Sequence, residues 1–365
     1  MKRKKVLYLM HVPWGWIKQR PHFIAEGLSE RVDVKVVTTR SFFQKNLLKN
    51  ETNIELVKLF RFPFERFALI HSINRFLYRL QLKKHLKDVD VIWFTSPTFV
   101  SWIPKSYYQK KTIVYDCMDD FLEFPQIKQN SNRLRYYTDS ECFLVHKASV
   151  LIASASYLRS KLVSRYGKKE EDIVVINNAI KNFAPKIADI VLPAELDYYV
   201  NCSSFKLVYI GTISSWMDFS LLKDIVEHFN DVEIFLFGPT EISIPQIERM
   251  HYCGKIEHDL IFKVMDIADA LIMPFVINEL IRSVNPVKLY EYIYSGKPSI
   301  APLYEESKVF DKYVYLYSNT ESCINILNEI RTIKVGKSNL VECREFCREN
   351  TWTYRLNEIY ALLHI

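Results

Sequence analysis

Lys288 and Glu291 stand three residues apart in the stretch 284–300. There a polar loop with Pro286 gives way to an aromatic run, Gly296 interrupts it, and Pro298 precedes an apolar segment. At helical spacing an ammonium and a carboxylate share one face. A helix start also leaves backbone N–H groups without internal partners. That combination suits a ligand with phosphates at one end and hydroxyls at the other, which is the chemistry of a sugar nucleotide.

A second constellation is acidic. Asp116, Asp119 and Asp120 fall within five residues, directly after the apolar run 112–115. Carboxylates this close repel one another, which raises at least one pKa unless a cation intervenes. A raised carboxyl is a useful general base, and Asp119 is the preferred base with Asp116 supporting it. The alternative has one of them capping the next helix and the others solvated. Asp-x-Asp spacing is absent, so a Mg²⁺ site is the weaker reading and no metal or other cofactor is expected.

Four loops complete the set. The segment 11–22 crowds Trp14, Trp16, Arg20 and His22 at a helix entrance, with one glycine and hence no dinucleotide fingerprint. Exposed aromatics with an arginine suit a carbohydrate or phosphate site; the alternative has both tryptophans in the core and Arg20 capping a neighbouring element. Gly211, Thr212 and Ser214 follow a strand-like run and leave backbone N–H groups for a phosphate, or form a plain capped turn. Gly238 closes another such run and could shape a nucleotide pocket. Asn177 and Asn178 suit left-handed turns or sugar hydroxyls, the turn being preferred.

These residues need strands to carry them. Apolar runs at 6–10, 34–38, 91–94, 112–115, 150–153 and 173–176 alternate with helical stretches such as 20–30. The pattern lapses over 181–204, then resumes at 206–210, 232–237, 270–273 and 299–301. Alternation of this kind implies two doubly wound parallel α/β sheets, with ligands at the carboxyl ends of strands. The expected units are 1–185, 205–345 and a terminal helical segment 346–365.

At 365 residues the chain exceeds one ordinary core. Its composition, 49% hydrophobic and 25% charged, excludes a disordered chain. The net charge of +7 suits an anionic partner. Seven cysteines without a CxxC pair argue against a disulfide framework and for a reducing cytoplasm. No signal peptide or membrane span is expected. Residues 58–87 carry eight Lys or Arg against one acid, interleaved with phenylalanines. Such a segment suits an anionic membrane surface or a solvated helix packed on its aromatic side. The basic residues match no nucleic-acid recognition module.

The segment 286–298 resembles the donor-site signature of GT-B glycosyltransferases from bacterial surface-polysaccharide pathways. The segments 16–22, 115–120, 174–179 and 350–353 are similar to other motifs of the teichuronic-acid and capsule enzymes, in the same order. The resemblance implies two Rossmann-like domains facing across a cleft, with the last helix crossing back to the first domain. It implies that the second domain binds a nucleotide-sugar donor and the first a lipid-linked glycan acceptor. Gly211, Thr212, Ser214, Gly238, Pro286, Lys288, Leu289 and Glu291 would line the donor site. Lys288 would face the diphosphate and Glu291 the ribose or sugar hydroxyls. Trp16, Arg20, His22 and Asp120 would lie on the acceptor side. Backbone amides and basic side chains stand in for a metal in that fold.

Two departures bear on stereochemistry. Many relatives carry a glutamate eight positions before the one matching Glu291, where this chain has Ser283, and an Arg–Lys pair where it has Thr212 and Met217. The usual retaining reaction is thereby in doubt, and an inverting displacement with Asp119 as base is preferred. A nucleotide-sugar 2-epimerase and a non-catalytic donor-binding subunit are the alternatives.

Overall fold

A computed structural model describes residues 3–15, 18–41, 54–64, 67–181, 190–333 and 336–365. The chain divides into two compact units, one of residues 1–177 with 352–365 and one of residues 178–351. The boundaries therefore fall at 177/178 and 351/352, and not at 185/205 and 345/346.

The first unit is built on a seven-stranded sheet. Its strands are β1 (Lys5–Leu9), β2 (Asp33–Ser41), β3 (Glu55–Arg61), β4 (Val91–Phe94), β5 (Thr112–Cys117), β6 (Val150–Ala153) and β7 (Ile173–Val175). Their order is β3-β2-β1-β4-β5-β6-β7, and every pairing is parallel. A parallel sheet is covered on both faces, which is why the residues of β4 are all buried. The sequence pattern missed β3, whose alternation is interrupted by Lys58 and whose side chains are mostly half-buried. It is an edge strand, so only one side of its ladder is paired.

The helix Trp352–Leu363 belongs to this unit. Its Leu356 occupies the space that a β-carbon at Gly27 would fill, 2.1 Å from Cδ1. Its Tyr360 hydroxyl donates to the Gly27 carbonyl at 2.7 Å. Trp352 stacks on Phe23, with ring centroids 5.1 Å apart. A glycine in the helix Arg20–Arg31 is what lets the two helices approach so closely.

The second unit holds β8 (Phe205–Ile210), β9 (Val232–Phe237), β10 (Met250–Tyr252), β11 (Ala270–Ile272), β12 (Ser299–Pro302) and β13 (Tyr315–Tyr317), in the order β10-β9-β8-β11-β12-β13. All are parallel. The short outer strands β10 and β13 were not legible as strands, since His251 and the tyrosines interrupt any apolar run and their residues are mostly half-buried. Two apolar clusters cover the sheet, one with Val208, Phe235 and Leu289, the other with Leu207, Ile234 and Ile225.

At the carboxyl ends of β8 and β9 two glycines meet. Gly238 has a φ of 137°, and a β-carbon there would lie 2.0 Å from the Gly211 carbonyl oxygen. Both the backbone angle and the contact exclude larger residues. Gly238→Ala is expected to cost about 2 kcal/mol or more. For a unit of this size that is a fall of about 4–8 °C in Tm, readable by calorimetry.

Candidate functional site

The first unit's polar centre lies where β5 ends. Asp116, in β5, is wholly buried and Arg20, the first residue of the helix Arg20–Arg31, is 5% exposed. The Arg20 guanidinium donates to Asp116 Oδ1 through Nη2 at 2.8 Å and through Nε at 3.1 Å. Its Nη1 donates to the Ile176 carbonyl at 2.7 Å. One arginine thus ties the ends of β5 and β7 to the helix that follows β1.

Asp120 is also wholly buried and has two cations. Arg165 donates to both its oxygens, at 2.7 and 2.8 Å, and Lys161 Nζ lies 2.8 Å from Oδ2. Both bases come from the helix Ser156–Tyr166. The same Arg165 lies 3.9 Å from Glu141, which also accepts from the Tyr115 and Tyr166 hydroxyls at 2.8 Å.

Asp119 differs from its neighbours. It is half-buried, and its carboxyl is pushed up to about 6. Burial is the main cause. Arg20 acts in the opposite direction, and the nearby Asp116 and Asp120 add to the rise. Of the three clustered carboxylates, two are matched to cations and the third is left basic enough to take a proton near neutrality.

The expected acceptor-side residues are therefore redistributed. Arg20, His22 and Asp120 are buried, so none presents a side chain to an acceptor. His22 Nδ1 accepts the Gln19 N–H at 3.2 Å, which places its proton on Nε2. Burial is the main reason its pKa is lowered. Trp14 is buried against His22, with centroids 5.3 Å apart, and Trp16 lies outside the described residues.

His11, in the same loop, was not singled out for a role. It is half-buried, its ring edge meets Phe121 at 5.4 Å between centroids, and its Nδ1 is 2.8 Å from Thr95 Oγ1. That hydroxyl donates its own proton to the Leu9 carbonyl at 2.9 Å. It therefore accepts from His11 Nδ1, and Nε2 keeps a lone pair. Burial, with His22 second, lowers the His11 pKa to about 4. The sequence signal was its position at the end of β1, where ligands of such sheets gather.

In the second unit the helix Val287–Ser295 begins one residue before Lys288, so the lysine sits in its first turn. Pro286 is the N-cap, without a side-chain acceptor for the first amides. Lys288 Nζ meets Glu291 Oε2 at 2.8 Å. An ammonium has three donors, and this contact uses one. Gly296, with a φ of 73°, ends the helix. Leu289 is a core residue with no exposure, which removes its side chain from any donor contact.

Asn178 joins this place. Its N–H donates to Asn285 Oδ1 at 3.1 Å and its Nδ2 to the Asn285 carbonyl at 2.8 Å. Its own Oδ1 is buried without a partner among the described residues. Neither Asn177 nor Asn178 has a positive φ, so the left-handed turn does not occur.

The loop after β8 is not an open amide cradle. Gly211 N–H donates to the Phe237 carbonyl and Ile213 N–H to the Pro239 carbonyl, each at 2.9 Å. The Thr212 carbonyl accepts the Tyr209 hydroxyl at 2.8 Å, and Ser214 Oγ donates to Glu241 at 2.7 Å. Strand-like pairing with residues 237–240 uses groups that a phosphate would need. Among the described residues no group of three or more His, Cys, Asp or Glu could hold a metal ion.

No family model matches the chain. It is 23% identical over 349 residues to a putative teichuronic acid biosynthesis glycosyltransferase, TuaH, from Bacillus subtilis, covering 86% of this chain and 85% of that protein. Among solved structures, a sucrose-phosphate synthase from Thermosynechococcus elongatus superposes with a TM-score of 0.75 at 13% identity, covering 99% of this chain and 98% of that one. HepE from Anabaena in complex with UDP-glucose has a TM-score of 0.68 at 16% identity, covering 99% of both chains. The fold is that of the GT-B glycosyltransferases.

Proposed function

We propose that this chain, having the GT-B fold, is a glycosyltransferase of surface-polysaccharide synthesis. It takes a sugar from a nucleoside-diphosphate donor and passes it to a lipid-linked glycan at the cytoplasmic face of a membrane. Support for the class comes from the similarity to TuaH over 86% of this chain and from the glycosyltransferase structures that share its fold. The observation that carries the reading is the start of the helix Val287–Ser295. There a capless N-terminus, the Lys288–Glu291 pair and the unpartnered Asn178 oxygen stand together in one unit. Amides and an ammonium suit the diphosphate. A carboxylate and an amide oxygen suit hydroxyls.

The reaction needs the acceptor oxygen to bond to the anomeric carbon while the bond from that carbon to the phosphate oxygen breaks. Within the second unit, Lys288 and the helix N-terminus suit the charge left on the nucleoside diphosphate; within the first, Asp119 is the carboxylate suited to take the proton of an acceptor hydroxyl. Transfer would be inverting and metal-independent. Asp116 and Asp120 favour the latter, since each already has its cation.

The test is a thermal-shift screen across UDP-, GDP-, dTDP- and CMP-sugars, followed by titration calorimetry. One stabilising nucleotide sugar is expected. Lys288→Ala should weaken its binding about 10- to 100-fold, the worth of one charge-assisted hydrogen bond. Unaltered affinity would remove Lys288 from the site. Sugar-nucleotide NMR without acceptor should show an unchanged donor, and an epimerised one would replace transfer with epimerisation.

A further inference from the structure

The helix Ala68–Leu82 is apolar on two opposite faces. The inner one is accounted for. Tyr78 and Leu82 are buried, and Tyr78 stacks on Trp102 with centroids 3.9 Å apart. Asn74 and Gln81 each bond both the N–H and the carbonyl of one residue, Phe62 and Phe60 respectively. These amides strap the end of β3 to the helix.

The outer face carries Leu69, Ile73, Phe76 and Leu80. At about 100° per residue they fall within an arc of roughly 60°, opposite Tyr78. They are 72%, 39%, 62% and 54% exposed. The strap brings Phe62 alongside. Phe64, 61% exposed, follows it at a φ of 67°, a conformation that a bulky residue rarely adopts. A contiguous apolar stripe on a single helix is not the scattered exposure that soluble surfaces tolerate.

Charge indicates what covers it. Between β3 and the end of this helix lies a cavity of about 420 Å³, lined by Lys58, Lys83, Lys84, His85 and Lys87, with Leu80 from the stripe. Among the described residues no acidic side chain lines it. Arg75 and Arg79 lie together on one side of the stripe, Arg75 over the Tyr136 ring and Arg79 donating to the Ser101 carbonyl. Like charges gathered around one opening repel unless an anion joins them. No helix of the described residues is long and apolar enough to cross a membrane. An apolar stripe bordered by cations is the composition of a helix lying in a lipid interface.

We propose that Leu69, Ile73, Phe76 and Leu80 insert into the surface of an anionic lipid bilayer, and that the lysine-lined cavity beside Leu80 takes lipid headgroup phosphates. The inference rests on the transferase reading only for what the membrane presents; the docking surface itself is argued from these residues.

Sedimentation with vesicles tests it, using the full chain and nucleotide-sugar binding as a parallel measurement. Vesicles of phosphatidylcholine with a third phosphatidylglycerol should retain the chain, phosphatidylcholine alone should not, and retention should fall as salt rises. Replacing the four stripe residues by serine should weaken retention on the order of 100-fold or more. A variant with Lys58, Lys83, Lys84 and Lys87 changed to glutamine should lose on the order of 100-fold and most of the salt dependence. Both variants should keep the circular dichroism and donor affinity of the parent. Equal retention by parent and variants, or none by the parent, overturns the proposal. So does a dimer that the stripe substitutions dissociate, which would make a second copy the occupant. Loss of donor binding in the parent would instead count against the transferase reading.

Discussion

Asp119→Asn should lower transfer by about 100- to 10,000-fold, the range for losing a general base, and leave donor affinity within about twofold. The substitution keeps size and removes the proton-accepting charge. The pH profile gives a sharper reading. Burial lifts the Asp119 carboxyl to about 6, against the opposing effect of Arg20. The reactive form is the ionised one. Activity as kcat/KM should therefore rise as pH climbs through about 6, level off above it, and lose that inflection in the asparagine variant. His11 supplies the contrast. Its Nε2 lone pair makes it the other group able to accept a proton here, but burial holds its pKa near 4. A rise centred near 4 that survives Asp119→Asn and disappears in His11→Gln would transfer the role to His11. Measuring the profile with saturating donor separates the base from any titration of the donor itself.

The layered architecture was legible because buried parallel strands leave continuous apolar runs. β4 and β9 have the bounds that their runs give, 91–94 and 232–237. Three edge strands were not legible, although the equally short edge β7 was, through its apolar run 173–176. β10 and β13 have three residues each, with His251 and tyrosines in place of an aliphatic run, and β3 is obscured by Lys58 and Arg61. The site was legible in kind but not in partnership. Composition exposed three crowded carboxylates near the end of β5 and predicted that one of them would be basic. It did not show that Arg20, nearly a hundred residues earlier, neutralises Asp116, or that Lys161 and Arg165 neutralise Asp120. Those pairs span loops whose folding brings them together, and spacing carries no trace of them. Leu289 and Ser214 show the converse error. A motif position does not say which side chains turn inward, and these two face the core and Glu241.

The Arg20–Asp116 pair carries the second large effect. Both side chains are almost wholly buried, at 4% and 0% exposure, and the guanidinium bonds to Asp116 and the Ile176 carbonyl inside the first unit. Removing one member leaves the other charged and without solvent, which costs about 3–5 kcal/mol. Asp116→Ala should therefore lower Tm by roughly 6–20 °C for a unit of this size. Urea unfolding should show a reduced midpoint with an unchanged slope. Arg20→Met alone should cost a similar amount. The double replacement Arg20→Met with Asp116→Leu should recover most of the loss, because no buried charge is then left alone, and the cycle of the four proteins gives the coupling directly. The Ile176 carbonyl loses its donor in the double variant, so recovery stops short of the parent by about 1 kcal/mol. This assigns Asp116 a positioning role: it holds Arg20, and through it the chain at the ends of β5 and β7, around Asp119. A positioning residue lost at low temperature, well below the unfolding midpoint, should lower kcat while the inflection near 6 moves with the altered charge. Were Asp116→Ala to cost less than about 1 kcal/mol and still abolish transfer, Asp116 would be a catalytic carboxylate and the buried pair a minor support.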